Sequence, residues 1–244
     1  MKNRERWKPT KWIGDVRNNT FVANLRNVYP GSVHLASIQV AAYVPLIREH
    51  MRGHLLDCGC GSVPCFEIYR DIVSEITCTD WEVTRNENPF VDFYADLNQP
   101  LLIESNSFDS ILMTDVLAHI KRPDLMVAEF ARILKPGGKL LLTSTFINWM
   151  GEPPHEYMRV SEYAMRSLCE DNALQVLHLE PYGGRADVLL DTLNKGMTGK
   201  FSNRIFRMMR WVVIRTGWYK SNRVRTAKRY PIGYSLVAQK QQNL

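Results

Sequence analysis

The feature that most constrains the fold is a glycine-rich turn between an apolar strand and a helix. Residues 54–64 read HLLDCGCGSVP, with an aspartate at position 57 and glycines at positions 59 and 61. Leu55 and Leu56 are typical of the end of a buried strand, and the apolar spacing of residues 66–73 predicts a helix. Glycines let a backbone approach a ligand closely, and a helix start offers free N–H groups. We therefore expect a ligand to bind at this turn.

Two kinds of ligand compete for the turn, and the residue spacing separates them. The dinucleotide fingerprint G-x-G-x-x-G/A needs a small third residue to pack the helix against the sheet, and Pro64 stands there instead. The carboxylate of Asp57 would repel a pyrophosphate but could bind the ammonium group of an amino-acid-like ligand. Short glycine motifs also arise by chance, so the rest of the chain has to support this interpretation.

The chain around the turn alternates strands with helices. Residues 75–79, 108–115 and 139–146 each have the apolar character of a strand. Residues 123–134 predict an amphipathic helix with a proline in its first turn, and the KPGG run at 135–138 ends it. Repeated strand–helix–strand units build a doubly wound parallel sheet with helices on both faces.

The two ends of the chain add further elements to this pattern. Residues 33–51 predict a helix, interrupted at Pro45, ahead of the first strand of the sheet. Residues 175–179 and 232–239 predict the last two strands, which we expect to lie side by side at one end of the sheet. Residues 1–31 show little periodicity, and we expect them to form an arm or lid.

An aspartate at the end of the second predicted strand supports a nucleoside ligand. Asp80 follows Gly61 by 19 residues, about the separation at which doubly wound nucleotide-binding folds place an acid for ribose hydroxyls. The alternative is that Asp80 only caps the strand end. The neighbouring Trp81 could flank an adenine ring, or it could simply pack against the domain.

The successive segments of the chain together resemble one enzyme family. In order and spacing, LLDCGCG, Asp80, ADL at 95–97, FDSILMTDVLAHI and EFARILKPGGKLLLTSTF are similar to the signature segments of class I, Rossmann-like S-adenosylmethionine-dependent methyltransferases. The resemblance covers about residues 53–174. It implies a seven-stranded, mostly parallel sheet, here with a basic helical insertion before the last strand. Pro64 and the run at 153–159 are similar to the methyltransferase type 11 branch found with surface-polysaccharide biosynthesis.

The resemblance also implies roles for individual residues. Asp57, Gly59 and Gly61 would line the methionine end of S-adenosylmethionine, and Asp80 would hold its ribose hydroxyls. The full set of expected cofactor-binding residues is Asp57, Gly59, Cys60, Gly61, Asp80, Trp81, Asp96, Leu97, Thr114 and Asp115.

The loop after residue 146 carries the candidate catalytic residue. It contains a His-Glu-Tyr-Met-Arg run at 155–159, ahead of a helix whose N-cap is expected at Ser161. Loops beyond strand carboxyl ends line the ligand crevice of an open α/β sheet, so these side chains are expected near the transferred methyl group. Histidine titrates near neutrality, and His155 is our candidate general base for an alcohol acceptor. The alternative is that His155 and Arg159 only fix the loop.

Composition sets the class of protein and its compartment. The 244 residues, 45% of them apolar, suit one α/β domain with an elaboration. We expect a lid at 1–52, a cofactor-binding core at 53–180, and the basic insertion with the final strand at 181–244. Cys58 and Cys60 could be half of a zinc site, but no second pair has zinc spacing, so reduced structural thiols and no metal are expected. A cytoplasmic protein follows from a charged amino-terminal stretch and the lack of a long apolar run.

The formal net charge of +6 comes from the last part of the chain. Residues 192–244 contain 12 Lys and Arg and no acidic residue. Within this part, residues 201–219 project apolar side chains onto one helix face, with arginines, Trp211 and Trp218 on the other. The apolar face could pack on the sheet, or residues 201–229 could lie on an anionic membrane surface. Nucleic-acid binding ranks third, because no recognised nucleic-acid module accompanies the charge.

These features predict an enzyme that methylates a hydroxyl group. We expect an S-adenosylmethionine-dependent O-methyltransferase that acts on a small-molecule or lipid-linked glycan acceptor of surface-polysaccharide biosynthesis, in the cytoplasm or at the inner face of the membrane. The alternatives are an RNA methyltransferase that uses the basic carboxyl-terminal part, and a methyltransferase-like scaffold without turnover.

Overall fold

The structure, a computed structural model, describes residues 1–82, 88–197 and 199–242. Residue 198 and the last two residues of the predicted 181–244 segment therefore lie outside the described residues. The strands are β1 Trp12–Asp15, β2 Thr20–Ala23, β3 His54–Cys58, β4 Glu75–Asp80, β5 Phe93–Tyr94, β6 Phe108–Thr114, β7 Leu134–Thr145, β8 Leu174–Tyr182 and β9 Gly233–Lys240. The helices are α1 Val33–His50, α2 Phe66–Tyr69, α3 Pro123–Ile133, α4 Glu162–Glu170, α5 Arg185–Gly196, α6 Lys200–Val213 and α7 Gly217–Thr226.

Seven strands form one mostly parallel sheet in the order β5-β4-β3-β6-β7-β9-β8. Strands β3 to β7 run parallel, and β9 pairs antiparallel with both β7 and β8. The predicted doubly wound fold is thus confirmed, with the last two strands side by side. The strand order reverses between β3 and β6, and open α/β sheets bind ligands in a crevice at the strand carboxyl ends beside such a reversal. The glycine turn follows β3, so it lies at this crevice.

The alternating side chains of the central strands form a core on each face of the sheet. Leu56, Ile111 and Leu140 pack with α3 and α4 on one face. Leu55 and Leu112 are the sequence neighbours of Leu56 and Ile111, so their side chains point to the other face, where they pack with α1 and α2. Because both faces of these central strands are buried, their sequences are continuous apolar runs, which is the pattern from which they were predicted.

Two helices differ from the predictions, α2 in its length and α1 in its continuity. Helix α2 ends at Tyr69, although the apolar spacing predicted a helix over 66–73. The chain has to return to the start of β4, and Ser74 N already donates to Gly53 O beside that strand. Helix α1 runs unbroken through Pro45, against the predicted interruption. Pro45 and Ala41, whose carbonyl loses its helical donor, are both exposed, so that carbonyl faces solvent.

The amino-terminal arm contains a hairpin that the sequence did not predict. Strands β1 and β2 pair antiparallel across a turn in which Asn19 adopts a φ of 47°. Trp12 fixes the hairpin to the domain, because its buried indole Nε1 donates to Ala36 O of α1 at 2.9 Å. The arm is thus held against the face of the sheet that α1 covers.

The insertion before β9 folds as three helices rather than the single helix predicted over residues 201–219. Helix α5 comes first, and α6 and α7 are separated at residues 214–216. Thr216 begins α7, where its side-chain oxygen accepts from Tyr219 N at 3.2 Å. In the described parts of the chain, no helix is both long and apolar enough to cross a lipid bilayer.

Candidate functional site

The two glycines of the turn after β3 differ in the space around the position that a side chain would occupy. Gly59 and Gly61 have φ values of +66° and +49°, a region that favours glycine. A methyl group built on Gly59 would lie 2.4 Å from Val116 Cγ2, whereas one on Gly61 would meet no atom of the described residues within 4 Å. The N–H groups of Gly59 and Cys60 both donate to Thr79 O. Gly59 is therefore required for packing, and Gly61 leaves room for a ligand.

Asp57 is a buried carboxylate that lacks a positive partner. Only 4% of it is exposed, and its Oδ2 accepts a hydrogen bond from Tyr69 Oη at 2.7 Å. Burial raises the pKa of Asp57 to about 7, and the nearby charge of Asp80 adds to this rise. No Lys, Arg or His of the described residues pairs with it. A ligand ammonium group would relieve the cost of this buried charge.

Asp80 joins the end of β4 to the glycine turn. Its Oδ2 accepts from Gly61 N at 3.0 Å and its Oδ1 from Trp81 N at 2.8 Å. Burial nevertheless raises the pKa of Asp80. The structure therefore brings together Asp57, Gly61 and Asp80, three of the residues predicted to bind the cofactor. Two carboxylates at the turn disfavour a pyrophosphate there.

The expected base, His155, lies on the Asp80 side of the crevice. Its ring contacts Trp81 edge to face, with the centroids 5.1 Å apart. His119 Nδ1 hydrogen-bonds the backbone carbonyl of His155 at 2.6 Å, and Tyr157 N donates to Ala118 O. The loop between β7 and α4 thus crosses the end of β6 and presents an exposed imidazole. Its role as a base stays a prediction.

The same loop fixes Arg159 by other contacts. Arg159 donates to Thr145 Oγ1 at 3.1 Å and to Trp149 O at 2.9 Å, and it pairs with Glu156. Ser161 caps α4, as predicted, by accepting from Ala164 N. These contacts favour a loop-fixing role for Arg159, the alternative stated from the sequence.

Two of the expected cofactor-binding residues have buried side chains, so only their backbone atoms could contact a ligand. Leu97 packs in the core beneath α3, and the Cys60 side chain is 3% exposed. Asp96 is exposed, and its Oδ1 accepts from the backbone and side-chain nitrogens of Asn98. Leu97 and Cys60 can therefore approach a ligand only through their main chains.

A polar cluster that the sequence did not predict surrounds Asp115. Thr114 ends β6, and Asp115 follows with a φ of +61°. Tyr43 Oη donates to Asp115 Oδ1 and Gln39 Nε2 to Asp115 Oδ2, each at 2.8 Å. Tyr43 Oη also lies 3.0 Å from Tyr182 Oη, and Lys11 Nζ lies 3.7 Å from Asp115 Oδ2. The arm, α1 and β8 thus converge on the residue after β6.

The arm also covers the glycine turn. Trp7 Nε1 lies within hydrogen-bond distance of the carbonyls of Ser62 and Val63, and its ring packs against Phe66 at 5.0 Å. This position suits the lid that was predicted for the start of the chain.

All five cysteines are buried and free. Burial raises the pKa of the Cys58 thiol well above its usual range. In the ranges the structure describes, no group of three or more His, Cys, Asp or Glu is arranged to hold a metal ion. Cys58 and Cys60 therefore belong to the packing around the glycine turn.

Comparison with known families identifies the type of domain. The model of a family described as a methyltransferase domain matches residues 56–142, which span β3 to β7. Residues 56–142 are therefore similar to a methyltransferase domain. The match supports the predicted S-adenosylmethionine-dependent class I methyltransferase. It does not confirm the predicted branch found with surface-polysaccharide biosynthesis.

Curated relatives match about half of the chain. A demethylmenaquinone methyltransferase of Renibacterium salmoninarum is 29% identical over 119 residues, which cover 47% of this chain and 49% of that protein. A ubiquinone biosynthesis O-methyltransferase of Nitrosococcus oceani is 30% identical over 145 residues, covering 51% and 59%. The chain spans about half the length of the curated relatives it matches.

Solved structures share the fold of the methyltransferase domain. A putative methyltransferase in complex with the Haloferax volcanii Trm112 activator aligns with a TM-score of 0.55 at 17% identity, covering 83% of this chain and 89% of that one. A putative sarcosine dimethylglycine methyltransferase of Galdieria sulphuraria aligns with a TM-score of 0.54 at 17% identity, covering 97% and 93%. At these identities the likeness concerns the fold.

Proposed function

We propose that the chain is an S-adenosylmethionine-dependent O-methyltransferase whose acceptor is a hydroxyl group on a lipid-linked molecule. The observation that carries the proposal is the pair of desolvated carboxylates, Asp57 and Asp80, beside the open face of Gly61. A ligand with an ammonium group and ribose hydroxyls satisfies both carboxylates, whereas a dinucleotide pyrophosphate would be repelled. The residues present therefore fit S-adenosylmethionine.

Each residue of the site has a distinct part in this proposal. Asp57 binds the ammonium group, Asp80 accepts from the ribose hydroxyls, and Gly61 gives the space that a side chain would fill. When bound, S-adenosylmethionine supplies an electrophilic methyl group on a sulfonium. The chain contributes alignment of the acceptor, exclusion of water by the arm that carries Trp7, and removal of the hydroxyl proton.

The acceptor is proposed to enter beside Asp115. The cluster of Asp115, Gln39, Tyr43 and Tyr182 offers hydrogen-bond donors and acceptors at the carboxyl end of β6, next to the glycine turn. Such a set suits a ring that bears several hydroxyl groups. The first candidate is the sugar of a lipid-linked glycan, as the resemblance of residues 153–159 implies.

A second acceptor is favoured by the curated relatives. One of them is named a ubiquinone biosynthesis O-methyltransferase, which suggests a phenolic hydroxyl on a polyprenylated ring. Both candidates place a ring hydroxyl on a lipid carrier. The two differ in the chemistry of the ring, which product analysis resolves.

The test uses the purified chain with S-adenosylmethionine that carries an isotopically labelled methyl group. We expect label in the lipid fraction of a membrane extract, and mild acid should release it as an O-methyl sugar. Label that stays with a prenylated aromatic ring would identify the second acceptor. Label in RNA, or cofactor binding without any labelled product, would contradict the proposal.

The pKa of Asp57 predicts a pH dependence of cofactor affinity. Only the ionised carboxylate attracts an ammonium group, and the pKa of Asp57 is about 7 in the free protein. Between about pH 5.5 and about pH 7, where an α-ammonium group stays charged, affinity should rise up to about tenfold per pH unit. Calorimetric titration should also detect proton release at the lower pH. Asp57→Asn should flatten this dependence, and a wild-type affinity that does not vary with pH would refute the ammonium contact.

The role of His155 is tested by turnover. If His155 removes the hydroxyl proton, His155→Ala should lower kcat by about 10²- to 10⁴-fold and leave the cofactor Kd unchanged. His178→Ala is the control, because His178 is a half-buried histidine of β8, the edge strand opposite to β4 and β5. Near wild-type turnover in His155→Ala would show that His155 is not the general base. A large loss in Asp115→Asn would then place the base at the end of β6.

A further inference from the structure

Helix α6 exposes apolar side chains that its sequence pattern predicts to be covered. Phe206 is its one fully buried side chain within the described residues, and it packs with Ala186, Leu190 and Tyr219. Phe201 is 78% exposed and Met208 67%. Ile205, Trp211 and Val212 are exposed as well. The alternative in which the apolar face packs on the sheet therefore does not hold for most of that face.

The exposed apolar side chains form one strip beside a row of arginines. At 100° per residue, Phe201, Ile205, Met208 and Val212 fall within one narrow sector, away from Phe206. Exposed Arg204 lies along one edge of that sector, and exposed Arg207 lies further round the same side of the helix. A groove of about 740 Å³ continues the strip toward Leu25 and Pro30. We call the exposed side of α6, together with exposed Trp218 and Val224 of α7, the basic apolar surface.

The charges of this surface are free to meet an anionic partner. Arg204, Arg207, Lys220 and Arg225 form no ion pair with any residue the structure describes. The guanidinium of Arg215 stacks over the Trp211 ring at 3.9 Å. No acidic residue occurs between positions 192 and 244, so neighbouring segments supply little neutralising charge.

A buried polar network holds the surface against the rest of the domain. Arg210 Nε donates to His34 Nδ1 at 2.8 Å, and His34 Nε2 lies 3.3 Å from Asp187 Oδ1. Tyr219 Oη donates to Asp187, which links α7 to α5. Because Arg210 Nε donates to Nδ1, that ring nitrogen carries no proton, and burial lowers the pKa of His34 in the same sense. The apolar strip is thus exposed on helices that are firmly packed, and it is not the result of a detached segment.

Lys195, at the end of α5, contacts the site loop that follows β7. Lys195 Nζ contacts Asn148 Oδ1 and Asp191 Oδ2 and lies 5.4 Å from the centroid of the Trp149 ring. Trp149 and Met150 of the site loop are exposed. The end of α5, immediately before α6, therefore contacts the loop that crosses the crevice.

We infer that the basic apolar surface binds flat on an anionic phospholipid bilayer. Aliphatic side chains such as Ile205 and Val212 gain from acyl chains, while arginines at the edge of the strip meet headgroup phosphates. An RNA partner would leave the aliphatic strip unsatisfied, and a second copy would bring like charges together. The inference concerns binding alone, and it holds whichever acceptor the enzyme uses.

Vesicle flotation without cofactor tests the inference. The probes are phosphatidylcholine vesicles with and without phosphatidylglycerol, and we expect binding only to the anionic vesicles. Neutralising two arginines in Arg204→Gln/Arg207→Gln should weaken binding roughly 30-fold. Removing apolar contact in Phe201→Ser/Met208→Ser should weaken it at least about tenfold. All four side chains are exposed, so the fold should persist, with an unchanged Tm.

Matched controls come from α3 and α4, which cover the opposite face of the sheet. Arg122→Gln/Arg166→Gln makes the same change of charge, and Leu125→Ser/Tyr163→Ser removes exposed apolar area of similar size. Both controls should bind like the wild type. Failure of the wild type to float, or equal losses in the controls, would overturn the inference. Binding that depends on the arginines but not on Phe201 and Met208, with equal affinity for RNA, would overturn it in favour of nucleic acid. Failure of methyl transfer alone would leave the binding result intact.

Discussion

Asp57→Asn should weaken S-adenosylmethionine binding and at the same time stabilise the free protein. The substitution removes a charge-assisted hydrogen bond to the ligand ammonium, which should raise Kd by about 10- to 100-fold. In the free protein, Asp57 is buried and its pKa is raised to about 7. Its contribution to stability is therefore present at low pH and lost as the pH rises through about 7. Asparagine avoids that loss at pH 8 and can still accept from Tyr69 Oη.

The combination of effects separates a ligand role from a structural one. At pH 8 we expect the free energy of unfolding to rise by on the order of 2 kcal/mol, or Tm by about 5 °C, with a smaller gain at pH 5. Calorimetric titration and thermal unfolding of the same preparation measure both quantities. Asp71→Asn is the control, because Asp71 is an exposed partner of Arg48 whose loss should change neither quantity much. A lower Tm in Asp57→Asn would mean that the carboxylate serves the fold and not the ligand.

Asp80→Asn should weaken cofactor binding by a different route. Its carboxylate both faces the expected ribose position and accepts from Gly61 N. Asparagine keeps one acceptor oxygen, so part of the affinity should remain in Asp80→Asn. Because Asp80 also raises the pKa of Asp57, its neutralisation should lower that pKa and shift the pH dependence of binding downward. An unchanged pH profile would mean that the two carboxylates do not interact.

The cofactor side of the site was predictable because it depends on local patterns. A parallel sheet places all strand carboxyl ends at one edge, so an aspartate ending β4 must lie near the turn that follows β3. The separation of Gly61 and Asp80 along the sequence therefore indicated their proximity, which their hydrogen bond displays. The strand runs and the end of α3 before the KPGG run are local patterns as well, although β7 begins at Leu134 and includes KPGG instead of starting at the predicted residue 139.

The acceptor side was not predictable because its residues come from distant segments. Lys11, Gln39, Tyr43 and Tyr182 meet Asp115 from the arm, α1 and β8. Hydrophobic periodicity within one segment does not predict contacts between side chains of distant segments. One signal was present, since Gln39 and Tyr43 stand four residues apart in a largely apolar helix. Polar residues on the buried side of a core helix need partners, and here the partner is the expected site.

The basic insertion shows a second limit of sequence patterns. The period of α6 indicates which side chains share a face, but not which neighbour covers that face. Phe201 and Phe206 were both assigned to one broad apolar face, although they lie at its two sides. Helices α5 and α7 bury Phe206 and leave Phe201 exposed. The difference arises because α6 packs on two short helices and not on the broad sheet. Only the tertiary arrangement reveals an apolar strip that needs a partner.

Gly59→Ala should destabilise the fold far more than Gly61→Ala, although both change the same turn. A methyl group at Gly59 meets Val116 Cγ2 at 2.4 Å and must also adopt a φ of +66°. The left-handed conformation costs about 1–2 kcal/mol, and overpacking a core adds typically about 1–3 kcal/mol. At Gly61 only the conformational cost applies, because no atom of the described residues lies within 4 Å of the added methyl group. We therefore expect Gly61→Ala to fold with a small loss in Tm, and Gly59→Ala to lose about 10 °C.

Cofactor binding should distinguish the two glycines in the opposite sense. The open space at Gly61 is the space assigned to the ligand, so Gly61→Ala should lose S-adenosylmethionine affinity by at least tenfold while it remains folded. In Gly59→Ala, the added change Val116→Ala removes both γ-methyl groups and should restore much of the lost Tm. The remaining Cβ of residue 116 would stand 3.3 Å from the new methyl group, a contact that a small shift relieves. Wild-type affinity in Gly61→Ala would show that the ligand does not approach the turn on this side. No rescue by Val116→Ala would mean that backbone conformation, and not the contact with Val116, requires glycine at position 59.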